Sequence, residues 1–134
     1  MEKAKEALSN HQKGYNCAQS IACAYSQMFG IDEKTAFRMA EGLGYGMGAM
    51  DACGAVTAMA MVAGMKLSDG DQSAPATKKI CYEHVKEMIE RFKEKNGTII
   101  CRVLRGEDTG TPLKSCDEYI EDAVIIIEEY LMKI

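Results

Sequence analysis

Apolar positions recur every three or four residues along most of the chain, and polar or glycine-rich breaks divide them into segments of helical length. Glu2 to Ser9 reads as a short helical start. Tyr15-Asn16-Cys17 opens a second helix, with Asn16 a good N-cap and Ala18, Ile21, Ala22, Tyr25 and Met28 spaced for one buried face that stops at Gly30. Asp32 caps Glu33 to Glu41, whose inward stripe is Ala36, Phe37 and Ala40. The run Gly42-Leu43-Gly44-Tyr45-Gly46-Met47-Gly48 carries too many glycines for a helix and reads as a loop. From Cys53 to about Lys66 the residues Ala55, Val56, Met59, Ala60, Val62 and Ala63 cover most of the circumference, which predicts the most enclosed helix of the fold.

A polar break follows from Ser68 to Ser73, and Pro75 suits the first turn of a long helix running to Lys95. Its seam is Cys81, Val85, Met88 and Phe92, and Asn96-Gly97 ends it. Thr98 to Cys101 is a short apolar stretch, either extended or the start of a brief helix. Gly106 to Pro112 is a loop, and a final helix from Ser115 to Met132 buries Ile120, Ala123, Val124, Ile127 and Leu131. There is no strand pair with a hairpin turn, no internal repeat and no low-complexity tail. The expected fold is all-α, a compact single-domain bundle of about five to six helices over residues 1–134.

Composition narrows the classes of function. The chain of 134 residues is long enough to bury a core without staples, and 47% hydrophobic with 27% charged residues describes a folded, soluble domain. A net charge of −4 without a Lys/Arg stripe argues against nucleic acid as a partner. The longest apolar stretch, Ala52 to Met65, is too short for membrane insertion, and Met1-Glu2-Lys3-Ala4-Lys5-Glu6 shows no apolar signal region. The expected location is therefore cytoplasmic, where cysteines are commonly buried, metal-bound or catalytic and permanent disulfides are rare.

The six cysteines are not equivalent. Cys23, among Ala22, Ala24 and Tyr25, and Cys81, beside Val85 and Met88, read as core packing. His84 follows Cys81 on the same side of its helix, but two ligands do not make a metal site. Cys17, Cys53, Cys101 and Cys116 each stand where a helix begins or a loop ends. A thiol at a helix N-terminus meets unsatisfied N–H groups and the positive end of the macrodipole, which favour thiolate. Whether the four meet is not fixed by their spacing. The absence of Cys-x-x-Cys argues against a thioredoxin-type dithiol, a zinc ribbon and covalent haem attachment.

Tyr15-Asn16-Cys17-Ala18-Gln19-Ser20, the glycine-rich approach to Cys53-Gly54-Ala55-Val56-Thr57, the segment Arg91 to Arg102 with Cys101, and Cys116 together resemble the C_GCAxxG_C_C family. These are small proteins classed as candidate redox proteins and named for four cysteines and a Cys-Gly-Ala-x-x-Gly element. The resemblance runs from about Ala7 to Leu131 and pairs Cys17, Cys53, Cys101 and Cys116 with the family cysteines, leaving Cys23 and Cys81 without counterparts. It departs at Ala58, where the family has glycine. Related domains occur joined to multihaem or iron–sulfur electron-transfer modules.

The resemblance thus implies a redox-active protein with a four-cysteine site, serving as catalytic, cofactor-binding or metal-ligating residues. An iron–sulfur cluster is the leading cofactor expectation, with zinc or no cofactor the alternatives. The same thiols also suit thiol–disulfide chemistry, with Cys17 or Cys53 attacking and another cysteine resolving. The competing readings are a thiolate metal-binding module without redox turnover and a helical interaction protein whose cysteines simply pack. Expected partners are a redox partner protein or a metal ion, and an acidic, apolar-rich bundle is compatible with a homodimer.

Other features weigh less. Gly44-Tyr45-Gly46-Met47-Gly48-Ala49 fits a loose Gly-x-Gly-x-x-Ala, but no strand precedes it, so nucleotide binding is not supported. Gly44, Gly46 and Gly48 are better read as letting the backbone approach a thiol site and offer N–H groups to sulfur. Met39, Met47, Met50, Met59, Met61 and Met65 suggest soft-metal affinity, although core filling is the commoner use. His11 and His84 belong to no recognisable hydrolase or transferase motif.

Overall fold

Capping chemistry sets where the main helices begin. The Asn16 side chain accepts the Gln19 N–H at 2.8 Å while Gln19 accepts the Asn16 N–H at 3.0 Å, a reciprocal box that starts the second helix at Cys17. Ser115 and Glu118 repeat the arrangement and start the last helix at Cys116. Asp32 accepts the Thr35 N–H at 3.0 Å and caps the third.

The structure, a computed structural model, describes residues 1–134. Its helices are α1 (Glu2–Gln12), α2 (Cys17–Ser26), α3 (Glu33–Ala40), α4 (Gly54–Leu67), α5 (Lys78–Asn96), α6 (Cys101–Leu104) and α7 (Cys116–Glu129). The fold is all-α, as expected, and the single turn α6 is the helix beyond the expected five to six. No helix is long and apolar enough to cross a membrane.

Three local differences from the sequence reading have physical causes. α5 starts at Lys78 and not at Pro75. Asp71 accepts the Ser73 and Ala74 N–H groups at 3.1 and 3.2 Å, and Pro75 disfavours helical geometry at Ala74, so the turn excludes the helix until Thr77. Met28 is 54% exposed and not part of the α2 stripe, because the chain tightens into a 3-10 turn at Gln27–Phe29 and rotates it outward. α2 itself is buried on every side from Ala18 to Ser26, more than one face.

Two helices form the centre. No residue of α4 is exposed, and it packs against α2, α5 and α7. α2 touches α1, α3, α4 and α7, an approach that its four alanine and serine positions with zero exposure (Ala18, Ser20, Ala22, Ser26) permit. The serine hydroxyls return to helix carbonyls, Ser20 to Asn16 O at 2.7 Å and Ser26 to Cys23 O at 3.3 Å, so the core holds no stranded hydroxyl there. Every helix contributes to one core of 25 buried residues. The one extended pairing joins Ala52 to Ile100, antiparallel, with Cys53 N–H donating to Ile99 O at 2.7 Å and Cys101 N–H to Asp51 O at 2.6 Å.

Ala58 lies in the middle of α4 with no exposed surface. Replacing it by the family's glycine removes a buried methyl and loosens the helix, so Ala58→Gly is expected to cost about 1 kcal/mol and lower the thermal midpoint by roughly 4 °C. Thermal unfolding followed by circular dichroism measures this; an unchanged or higher midpoint would show that the methyl crowds its neighbours.

Candidate functional site

Four chain segments far apart in sequence end on one small cavity of about 40 Å³. Cys17, Cys53, Cys101 and Cys116 line it, together with Tyr45, Gly46, Gly54, Leu104, Arg105 and Tyr119. Cys17, Cys101 and Cys116 are the first residues of α2, α6 and α7, and Cys53 immediately precedes α4. All six cysteines are free thiols. Cys53 and Cys101 are 6% and 7% exposed and form the inner wall, whereas Cys17 and Cys116 are half-buried. The Ala52–Ile100 pairing fixes the inner two, because Cys53 and Cys101 flank it on the same side of the two strands.

The glycine-rich run is not a plain loop. Tyr45, Gly46, Met47 and Gly48 all take positive φ, at 54°, 59°, 59° and 72°, so the backbone makes a left-handed turn. Such geometry costs a non-glycine residue about 1–2 kcal/mol, and three pay it here, since Met50 also has φ 55°. The Arg105 guanidinium, 5.0 Å from the Tyr45 ring centroid, helps to hold the turn over the cavity. Gly46 is required twice over: a Cβ there would stand 2.5 Å from Asp51 N and 2.7 Å from the Cys101 Cβ. Of the three glycines singled out from sequence, only Gly46 lines the cavity. Gly44 is buried against the Asn16 side chain, and Gly48 is exposed with open space around it.

Ionisation separates the four thiols. Cys17 and Cys116 face the same cavity, and their interaction is the largest influence on the ionisation of both. It lowers Cys116 to about 6, helped by the positive charges of Arg105 and His11 against the opposing effect of burial. It raises Cys17, which burial pushes further in the same direction. Burial also raises Cys53, to about 11, against the pull of the Ala55 and Val56 N–H groups, and raises Cys101 against the pull of Arg105. Helix starts alone therefore do not make thiolates here; desolvation is the largest effect at Cys53 and Cys101, and the neighbouring Cys116 thiol is the largest at Cys17. Of the four thiols only Cys116 is lowered, while Cys17, Cys53 and Cys101 are raised.

Several surrounding residues carry no motif and were not singled out as part of a site. Tyr119 donates its hydroxyl to Leu104 O at 2.9 Å and accepts the Lys114 N–H at 3.0 Å, pinning α7 beside α6. His11, on α1, meets Asp117 at 2.6 Å, next to Cys116. The only sequence hint for these two was adjacency to an end of a predicted helix. His84 hydrogen-bonds to the Tyr130 hydroxyl, and Cys81 lies away from the cavity, so that pair forms no site with the other cysteines. Cys23 is buried, with its sulfur 3.7 Å from Glu33 O. None of the methionines lines the cavity; Met59 is core, and Met39 and Met47 are 64% and 47% exposed.

The donor set is chemically suited to soft metals, but no three Cys, His, Asp or Glu side chains are grouped to hold one ion. What the arrangement offers is four thiols and a guanidinium on one small cavity, with the Cys17 and Cys116 ionisations tied to each other.

An all-helical domain whose four cysteines meet at such a pocket is of a redox-active kind. The chain belongs to the C_GCAxxG_C_C family: the family's sequence model, described as "Putative redox-active protein (C_GCAxxG_C_C)", matches residues 15–130. No curated protein and no solved structure matches the chain.

The thiol titrations give a signed pH dependence. Between about 6 and the ordinary thiol value of 9.0 the folded protein has lost the Cys116 proton that the unfolded chain still holds. Stability from the site therefore rises with pH across that window and is lost as pH falls through about 6. Above 9.0 the sign reverses, because the unfolded chain ionises thiols that stay protonated at Cys17 and Cys53 in the folded protein. The thermal-midpoint difference between wild type and Cys116→Ser is expected to grow in favour of wild type from pH 6 to 9. A flat difference would remove the depressed thiolate.

Proposed function

We propose that the chain is a thiol-based redox protein that passes between dithiol and disulfide at Cys116 and Cys17. The observation that supports this reading most is that Cys17 and Cys116 line one cavity, where their interaction lowers Cys116 and raises Cys17. The thiolate is the nucleophilic form and exists at Cys116 near neutral pH. An incoming two-electron acceptor takes the electron pair of the Cys116 sulfur. That step removes the negative neighbour that raises Cys17, so the Cys17 thiol then loses its proton more readily. Its sulfur closes the S–S bond, and two electrons and two protons have left the dithiol.

Each surrounding residue has a task in this scheme. Arg105 and His11 supply positive charge to the thiolate, and Asp117 orients the His11 ring. Gly46 lets the left-handed turn close against Cys101. Cys53 and Cys101 stay protonated and form the inner wall, which keeps bulk water from the pair.

The iron–sulfur and zinc readings require the four sulfurs to regroup about a metal, and the same preparation decides between them and the thiol reading. Protein purified anaerobically is expected to carry iron, sulfide and zinc well below one equivalent. After mild oxidation, peptide mapping is expected to find the Cys17–Cys116 disulfide in wild type, Cys23→Ser and Cys81→Ser, and to find none in Cys17→Ser or Cys116→Ser. Iron with matching sulfide, lost in Cys53→Ser and kept in Cys23→Ser, would replace the thiol reading with a cluster; one equivalent of zinc would replace it with a metal-binding module.

A further inference from the structure

We propose that the electron acceptor at this site is hydrogen peroxide, admitted under Tyr45 and Arg105 into the cavity that the four cysteines line. The inference rests on the thiol–disulfide reading above and adds the class of oxidant.

Size is the first argument. A cavity of about 40 Å³ has room for about three water molecules. Hydrogen peroxide has two heavy atoms and fits; an alkyl hydroperoxide or a peptide disulfide does not. The inner walls are the backbone at Gly46 and Gly54 and the packed side chains of Leu104 and Tyr119, 1% and 2% exposed, so the side of the cavity that can yield is its mouth, where Tyr45 and Arg105 are exposed. A Cβ at Gly54 would already stand 3.3 Å from the Cys17 Cβ, which shows how closely α4 approaches that sulfur-bearing residue.

Charge is the second, and it is independent of size. Attack on peroxide expels hydroxide, so the transition state gains negative charge on the departing oxygen. Arg105 lines the cavity, donates only its Nε, to Glu107 at 3.4 Å, and makes no hydrogen bond to protein through its two terminal amino groups. Those donors are free for an oxygen that is becoming anionic. The Tyr45 ring, stacked on the guanidinium, holds it at the cavity and is itself placed by the left-handed turn.

The chemistry balances without any further reagent. The Cys116 thiolate attacks one peroxide oxygen, an S–O bond forms, the O–O bond breaks, and the expelled hydroxide takes a proton and leaves as water. The Cys17 sulfur then attacks the sulfenic sulfur, an S–S bond forms, the S–O bond breaks, and the second hydroxide leaves with the Cys17 proton as water. Two thiols are oxidised by two electrons and one peroxide is reduced to two waters.

The test follows formation of the Cys17–Cys116 disulfide in the full chain by stopped-flow thiol loss and peptide mapping, with hydrogen peroxide, tert-butyl hydroperoxide and oxidised glutathione as oxidants. Hydrogen peroxide is expected to react at least tenfold faster than either bulkier oxidant. Tyr45→Gly opens the mouth at an exposed position whose φ suits glycine, and is expected to narrow that preference. Arg105→Gln, compared at a pH above the Cys116 midpoint of both proteins, is expected to slow the peroxide reaction about a hundredfold while alkylation by iodoacetamide changes little. Equal or faster oxidation of wild type by oxidised glutathione or tert-butyl hydroperoxide would overturn the peroxide assignment and leave the thiol–disulfide reading standing. No Cys17–Cys116 disulfide with any of the three would overturn both.

Discussion

Helix α4 has no fully exposed residue and one face that is wholly buried, and the arrangement of its neighbours follows from that constraint. Seven of its fourteen residues, from Gly54 to Ala63, are buried in a chain of 134 residues, and α2, α5 and α7 do most of the covering. Alanine supplies the means. Ala55, Ala58 and Ala63 on α4 and Ala18 and Ala22 on α2 have no exposed surface, so the two helices approach closely along a seam of small side chains. Once α4 is enclosed, its N-terminal end is carried to the place where α2 and α7 begin. The cysteine cavity is the small space left at that junction.

Within the cavity, two opposing effects decide which sulfur is charged. Burial penalises every thiolate, and helix N-termini favour every one, so position at a helix start cannot by itself distinguish four residues that all occupy one. The distinction comes from partners. Cys116 has Cys17 beside it, with Arg105 and His11 lowering it further, whereas Cys53 has only backbone N–H groups to set against its burial. A cluster of similar thiols thereby becomes a set in which one member is lowered and the other three are raised. The strain in the left-handed turn at Tyr45 and Met47 is placed against the same sulfurs, which is where such geometry tends to persist when surrounding structure over-determines it.

The sequence made the helices legible wherever capping and periodicity agreed, as at Asn16, Asp32 and Gly97, where side-chain caps and a positive-φ glycine close the ends. It misplaced the start of α5 because Pro75 is compatible with a first turn, and only the Asp71 turn shows that the chain is already committed elsewhere. The four cysteines were separable from Cys23 and Cys81 by their position at segment starts, but their meeting depends on long-range packing that spacing does not encode. Arg105, Tyr119 and His11 were illegible for the same reason: each acts on a residue brought to it by tertiary structure. The left-handed turn was visible only as an excess of glycine, since Tyr45 and Met47 adopt positive φ against their own preference.

Cys17 and Cys116 sit near opposite ends of the chain, on the first residues of α2 and α7. A bond between their sulfurs would close a loop of about 100 residues, and in the chain-entropy account a closure of that length restricts the unfolded chain by about 4–5 kcal/mol. Folding and electron transfer would then share one thermodynamic cycle. Whatever the bond adds to the folded state's advantage, the folded state returns as a lower reduction potential for the bond. A buried core with no catalytic atom in it, α4 above all, would thus help to set the voltage at which the cysteines give up their electrons.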